Sequence, residues 1–355
     1  MRAVAVITSD RSVSLQRVAN DIIYVLRKHG YQNTRLILSA NADPMLYQDV
    51  FMAIIVMTFD PAWVLPYCYL ARTLKTRGKR VFFYTTIEGR ARRVHGDHWI
   101  YRDLSFIANS MYTKEKLTEA GARVDAVVYH GVRVDAIRSY RWRAKYIRQK
   151  LGLSPDDFVV GYIAGGYMRK GHDVFAEVCK IVRERDPSIK FVVLTDKKGA
   201  QHYNDVDNVI LIPEFGKLSN DMVYGLYHAF DLYAQASLSE GFGMPVLESL
   251  AAGKPVVHAD YNPLSEITTP RTSFRVPVVD VTYKRELGAI EFELHFYDPA
   301  VFAEMILYAK DEVLRNRDEY EARCIERARE FDVEKTYKYF VVTSTLKGEE
   351  LGFQV

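Results

Sequence analysis

The sequence predicts two α/β domains in tandem, each a parallel sheet wrapped by helices. Three observations lead there. The chain has 355 residues, enough for two domains of ordinary size. Short apolar, strand-like runs alternate with amphipathic helical stretches over short connections. The alternation then pauses at the basic, aromatic segment Val134–Lys150 and restarts beyond it.

In the first series Ala3–Thr8 reads as a buried strand followed by the loop Ser9–Ser12. The next helix places Leu15, Val18, Ile22, Val25 and Leu26 on one face and stops at Gly30. Strands are predicted at Arg35–Ser39, Ala53–Phe59, Arg80–Thr86, Asp103–Ala108 and Ala126–Tyr129. Helices are predicted at Pro61–Arg77 and from a Ser110 cap to Gly121. Val134–Lys150 reads as the link between domains. The second series has strands at Phe158–Ala164, Lys190–Thr195, Asn208–Ile212, Asp231–Gln235 and Pro255–Ala259, with helices at His172–Arg185 and Asn220–Phe230. Residues 275–297 break the rhythm: they alternate like a hairpin and read as an insertion. Helices follow at Pro299–Leu314, Asp318–Phe331 and from Val333 to about Leu346.

Composition narrows the function. Apolar residues make up 48% and charged residues 26%, as in soluble globular proteins. A net charge of +3 is too small to imply a nucleic-acid partner. Cys68, Cys179 and Cys324 are scattered, which argues for a reducing compartment and against zinc or a disulfide framework. The N-terminus reads as a first strand, not a signal peptide. The longest uncharged apolar run, Val50–Phe59, is too short to span a bilayer. A cytoplasmic location is expected, with membrane contact at most peripheral. Plentiful Arg, Glu and Tyr beside sparse Asn and Gln hint at a thermophile.

Ser237–Pro255 is the stretch around which the rest is organised. A strand-like run opens into the glycine-bracketed loop Glu240-Gly241-Phe242-Gly243, then a helix from about Pro245 to Ala252 with Gly253 beyond it. Such a start gathers free N–H groups and the positive end of the helix dipole at one point, which suits a phosphate. Glu240 and Glu248, eight positions apart, suit sugar hydroxyls instead. A diphosphate joined to a ribose and a sugar would use both features. A second anion loop, Gly165-Gly166-Tyr-Met-Arg169-Lys170-Gly171, also lies between a strand and a helix. There Lys170 supplies a point charge and Arg169 a fork.

Glu240–Glu248 in the form EGFGMPVLE, with Ser237 before it, then a small-residue helix and GKPVV at 253–257, resembles the donor signature of retaining GT-B glycosyltransferases, in particular glycosyltransferase family 4. The 165–171 loop resembles the same family's basic glycine loop. The resemblance implies a GT-B fold of two facing Rossmann-like domains with a deep cleft between them. It assigns 1–150 to acceptor binding (with the link at about 134–150), 151–332 to the nucleotide sugar, and 333–355 to a helix that crosses back to the first domain.

By the same resemblance, the chain moves a hexosyl group from a UDP- or GDP-linked sugar to an acceptor hydroxyl, with retention and without a metal or other cofactor. Donor contacts fall on Gly165, Gly166, Arg169, Lys170 and Glu240, on Gly241, Phe242, Gly243 and Met244, and on Pro245, Val246, Leu247 and Glu248. Glu240 and Lys170 carry catalytic roles, and the loops Thr195–Lys198 and Pro213–Phe215 face the base. The acceptor is a sugar, a lipid-linked molecule or a small molecule.

The chain departs from the family pattern in four places. The Arg usual just after the first strand of the donor domain is absent, and Gly165 lies near its place. The Gly-Gly pair usual in the first loop is replaced by Ser9–Ser14, where either Arg11 reaches the cleft or Ser12 or Ser14 caps a helix. Glu88 stands where relatives often carry a His; it is either a catalytic carboxylate at a strand end or a loop residue. His130-Gly131 stands where Asn-Gly is usual and reads first as a tight structural turn. His95 and His98 read as acceptor-loop or surface residues.

Basic and aromatic clusters at 90–95 and 133–150 are either a peripheral membrane patch or solvated surface. Three other readings compete: a non-catalytic sugar-nucleotide-binding scaffold, a GT-B epimerase and a phosphorylase. An epimerase lacks an acid–base cluster here, and a phosphorylase needs a longer chain. No G-x-G-x-x-G follows either first strand, which argues against a dinucleotide dehydrogenase.

Overall fold

The computed structural model describes residues 3–10, 12–39, 43–91, 101, 103–286 and 288–345. The chain divides into two compact units. One comprises Met1–Gly131, Arg285–Glu291 and Phe331–Val355; the other comprises Val132–Lys284 and Phe292–Glu330.

The first unit contains β1 (Ala3–Thr8), α1 (Val13–Lys28), β2 (Thr34–Leu38), β3 (Val50–Thr58), α2 (Pro61–Thr76), β4 (Arg80–Thr86), β5 (Gly89–Ala91), β6 (Ser105–Ala108), α3 (Met111–Glu119) and β7 (Arg123–Val127). Six strands form a parallel sheet in the order β2-β1-β3-β4-β6-β7. All of β1 is buried, as a central strand covered on both faces must be. The predicted face of α1 lies in the core. Side chains cap the helices of this unit: Ser12 accepts from Leu15 N–H at 3.4 Å, Asp60 from Ala62 N–H at 2.8 Å, and Ser110 from Thr113 N–H at 3.0 Å.

The second unit holds α4 (Val134–Ser139), α5 (Arg143–Lys150), β8 (Phe158–Ile163), α6 (His172–Arg185), β9 (Ile189–Leu194), α7 (Lys197–Ala200), β10 (Val209–Ile212), α8 (Asn220–Ala229), β11 (Leu232–Gln235) and α9 (Met244–Ala251). It continues with β12 (Val256–Ala259), α10 (Leu264–Ile267), β13 (Ser273–Val276), β14 (Val278–Lys284), β15 (Ile290–Tyr297, of which Phe292 onward belongs to this unit), α11 (Pro299–Arg315) and α12 (Arg317–Glu330). Its parallel sheet runs β10-β9-β8-β11-β12-β13. The strand order reverses direction between β8 and β11, so the loops after these two strands leave in opposite directions and open a crevice at their carboxyl ends.

Four expectations need correction. The segment 134–150 is not a link: α4 and α5 pack within the second unit. Ile147 lies so close to Gly225 that a Cβ there would sit 2.6 Å from its Cδ1. Arg148 reaches Ala229 C=O at 3.0 Å and Asp231 at 3.2 Å, and His228 bonds Ile137 C=O at 2.9 Å. The first unit therefore ends at Gly131, not at residue 150.

The hairpin begins later than expected, because Ser273–Val276 is the sixth strand of the parallel sheet; β14 and β15 form the antiparallel pair. The last helix is broken into α13 (Val333–Thr336) and α14 (Lys338–Thr345), with Asp332 capping the first by accepting Glu334 N–H. Val333, Tyr337 and Phe340 are buried in the core of the first unit beside Ile22, Val25 and Tyr84. Gly131, finally, does not have the positive φ of a glycine turn. It is required by close approach, since a Cβ would lie 2.4 Å from Thr336 Oγ1 and 2.9 Å from Val333 Cα.

Candidate active site

The loop after β8 runs from Ala164 to Gly171 and the loop after β11 from Ala236 to Gly243, so both flank the crevice where the strand order reverses. Each ends in a left-handed glycine that begins a helix. Gly171 has φ +63° and Gly243 φ +96°, and neither position supplies a side-chain cap. Among the described residues, the N–H groups of His172, Asp173 and Val174 in α6, and of Gly243 and Met244 at α9, donate to no protein acceptor. Free N–H groups at a helix start suit an anion. Further into α9 no such N–H is open: Val246 and Leu247 N–H donate to Gly243 C=O at 2.9 and 3.3 Å, and Pro245 has no N–H. Met244 and Pro245 are the half-buried first residues of α9.

The two loops are bonded to each other. Leu238 N–H donates to Arg169 C=O at 2.8 Å, and a Cβ on Gly171 would sit 2.6 Å from Ala236 O. Across this junction Lys170 Nζ lies 2.7 Å from Glu240 Oε1, with the two side chains 13% and 9% exposed. Gln235 Nε2 donates to the same Oε1 at 2.7 Å and to Ser237 Oγ at 2.8 Å. Glu240 Oε2 takes no bond among the described residues. A lysine ammonium has three donors. With one directed at Glu240, the ammonium can still serve an anion lodged at the helix starts. Glu248, on the buried side of α9, accepts from Tyr227 OH at 2.9 Å. Gly241 and Phe242 are buried between the two carboxylates in sequence.

The glycine pair of the first loop is held from beside it. Asp196 Oδ2 accepts Gly166 N–H at 2.8 Å, while Oδ1 accepts Lys198 and Gly199 N–H at 2.9 and 3.0 Å. Burial alone would raise the Asp196 pKa, but these backbone donors outweigh it and hold the carboxyl below its ordinary value. A Cβ on Gly166 would meet Asp196 Oδ1 and Gly199 N at 2.4 Å, so only glycine fits there. Gly165 lies against the Tyr167 and Phe215 rings, at 3.1 and 3.3 Å from an added Cβ. His172 bonds Tyr203 OH at 2.8 Å and approaches Gly165 C=O at 3.1 Å; burial pushes its pKa down to about 4.

Sequence reasoning missed Gln235, Tyr227 and Asp196 in these roles. Gln235 did carry a signal, being the one polar residue at the carboxyl end of an otherwise apolar strand.

In the first unit Glu88 follows β4 and is half-buried. His130 is buried: its Nδ1 meets Tyr84 OH at 2.8 Å and burial holds it neutral, with a pKa of about 3. Arg11, His95, His98 and the end of the chain beyond residue 345 lie outside the described residues. Among the described residues no group of three or more His, Cys, Asp or Glu is placed to hold a metal ion, and no helix is long and apolar enough to cross a membrane.

Residues 144–276, which contain both loops, match the family glycosyl transferases group 1. The chain is 29% identical over 345 residues to Uncharacterized glycosyltransferase 335 of Sulfolobus islandicus rod-shaped virus 1, across 95% of this chain and 99% of that protein. It is 26% identical over 227 residues to D-inositol 3-phosphate glycosyltransferase of Salinispora arenicola, covering 56% of this chain and only 49% of that relative. Among solved structures, a glycosyltransferase from Rickettsia africae superposes with a TM-score of 0.72 at 15% identity, over 96% of this chain and 97% of that one. HepE of Anabaena, in complex with UDP, superposes with a TM-score of 0.69 at 15% identity, over 98% and 100%. With this match over residues 144–276 and relatives that are glycosyltransferases, the chain is a glycosyltransferase of the GT-B fold.

Proposed function

We propose that the crevice between β8 and β11 binds the diphosphate of a nucleoside-diphosphate sugar, and that the enzyme transfers its hexosyl group to an acceptor hydroxyl with retention at the anomeric carbon. The observation that carries this reading is the Lys170–Glu240 contact at 2.7 Å. It joins a cation suited to phosphate with a carboxylate suited to sugar hydroxyls, between two uncapped helix starts.

As the glycosidic bond breaks, negative charge gathers on the departing diphosphate. Lys170, Arg169 and the N–H groups of Gly243 and Met244 stabilise it. Those donors supply the role that a divalent cation plays elsewhere, so transfer proceeds without metal. Glu248 accepts ribose hydroxyls and Glu240 accepts hydroxyls of the migrating sugar through Oε2. The attacking hydroxyl loses its proton to the leaving phosphate on the same face, so no protein nucleophile is required.

The test is a panel of UDP-, GDP- and ADP-sugars in EDTA, scoring thermal shift and nucleotide release. It begins with UDP-glucose, because HepE, of similar fold, is known in complex with UDP and UDP-glucose. One donor that raises the melting temperature and is slowly hydrolysed in EDTA is expected. No shift and no release with any donor would overturn the proposal.

A further inference from the structure

The insertion hairpin and the missing loop arginine meet at one side chain. The Arg169 guanidinium lies over the Tyr167 ring at 4.8 Å from its centroid and over the Phe292 ring at 5.0 Å. Tyr167 belongs to the same loop, whereas Phe292 belongs to β15, paired with Lys284 of β14. The same strand holds the other loop of the crevice. His295 N–H donates to Leu238 C=O at 2.8 Å, and Tyr297 OH donates to Ala236 C=O at 2.8 Å. His295 also stacks on Tyr261, with centroids 4.1 Å apart and planes within 4°, and Tyr261 OH donates to Ser237 C=O at 2.7 Å. β15 thus touches the loop of Lys170 through Phe292 and the loop of Glu240 through His295 and Tyr297.

We propose that Phe292 is a positioning residue for donor binding: it holds Arg169 as the second cation of the diphosphate site, in place of the arginine that the loop lacks near Gly165. This rests on the donor-site reading above. A guanidinium is planar, and aromatic rings engage its faces, while its N–H donors lie in the plane and point outward from its edge. Two ring contacts therefore hold the cation in place through cation–π attraction. A free arginine loses much rotamer freedom on binding. Held between rings before the ligand arrives, Arg169 has lost that freedom already, so more of its attraction appears as affinity. The hairpin is then part of the donor site.

The test measures binding of whichever of UDP, GDP or ADP the wild type takes up, by calorimetry, together with donor KM and kcat. The variants are Phe292→Ala, Phe292→Leu, Phe292→Tyr, Arg169→Ala and the Phe292→Ala/Arg169→Ala double, with Lys170→Ala as reference. Phe292→Ala and Phe292→Leu are expected to weaken nucleotide binding about tenfold through loss of the ring. Phe292→Tyr restores it. Phe292→Ala adds nothing once Arg169 is already alanine, because both act through one contact. Phe292→Leu keeps the apolar bulk, so it reads the ring even where alanine unfolds the hairpin.

Wild-type binding by Phe292→Leu, or effects of Phe292 and Arg169 that add in full, would overturn the inference while Lys170→Ala still loses binding. If Lys170→Ala also binds like wild type, the donor-site reading itself fails and this inference falls with it.

Discussion

The two sheets of this enzyme use the same device to opposite ends. Each is a six-stranded parallel sheet whose strand order reverses once, between β1 and β3 in the first unit and between β8 and β11 in the second. In the first unit the helix that follows each of those strands is closed by a side chain, Ser12 for α1 and Asp60 for α2. Asp60 is spent further, accepting Ala289 N–H with both oxygens at 3.0 and 3.1 Å. In the second unit both helices start at glycines with positive φ and no side-chain cap. A cap satisfies the helix start and stabilises the fold; a glycine there leaves the N–H groups to a ligand. The same topology gives capped helix starts in one unit and open ones in the other; on the proposed reading the open starts hold the diphosphate, and the residue at the N-cap makes the difference.

The largest effect should come from the charge that serves the open helix starts. Lys170→Ala is expected to lower kcat/KM for donor hydrolysis or transfer about 10²–10³-fold, the cost of removing one donor to developing anionic charge. It also leaves Glu240 without its cation. Steady-state kinetics on the donor found in the panel would show it. A loss of less than about threefold would mean that Lys170 is only the structural partner of Glu240.

A pair of glycine variants sharpens the contrast. Gly171→Ala places a Cβ 2.6 Å from Ala236 O in a left-handed backbone, and should cost at least about 1–2 kcal/mol. It should also reduce donor affinity, because it drives apart the loops of Lys170 and Glu240. Gly131→Ala in the first unit meets Val333 Cα at 2.9 Å and should cost about 1–3 kcal/mol by overpacking. It should leave nucleotide affinity unchanged. Urea unfolding beside nucleotide titration separates the two. Equal loss of affinity in both would show that the glycines report stability alone.

The strand–glycine–helix loops were legible because their chemistry is local. Glu240, Gly243, Glu248, Lys170 and Gly171 lie within a few positions of a strand end or a helix start, and spacing alone places them. What distance in sequence decides was not legible. The segment 134–150 is mostly polar, and only its contacts with Gly225, Ala229 and Asp231 tie it to the second unit. Ser273–Val276 is a four-residue edge strand running straight into a hairpin, so its parallel pairing with β12 leaves no period to read. Asp196 reads as a base-facing loop residue, yet it caps α7 and anchors Gly166 thirty residues away. Phe292 looked like one more alternating residue of the insertion until its ring met Arg169.

The smallest effect tests the scaffold side. Ser110 Oγ accepts Thr113 N–H at 3.0 Å, and the residue is fully buried at the start of α3. Ser110→Ala should therefore lower stability by about 1 kcal/mol, the ordinary cost of a lost cap, and leave nucleotide affinity where it was. Denaturant midpoints and nucleotide titration on the same preparation decide. Were Ser110→Ala to weaken nucleotide binding as strongly as Gly171→Ala, capped and open helix starts would not divide the labour as argued, and binding would depend on the integrity of both sheets instead of on the helix starts between β8 and β11.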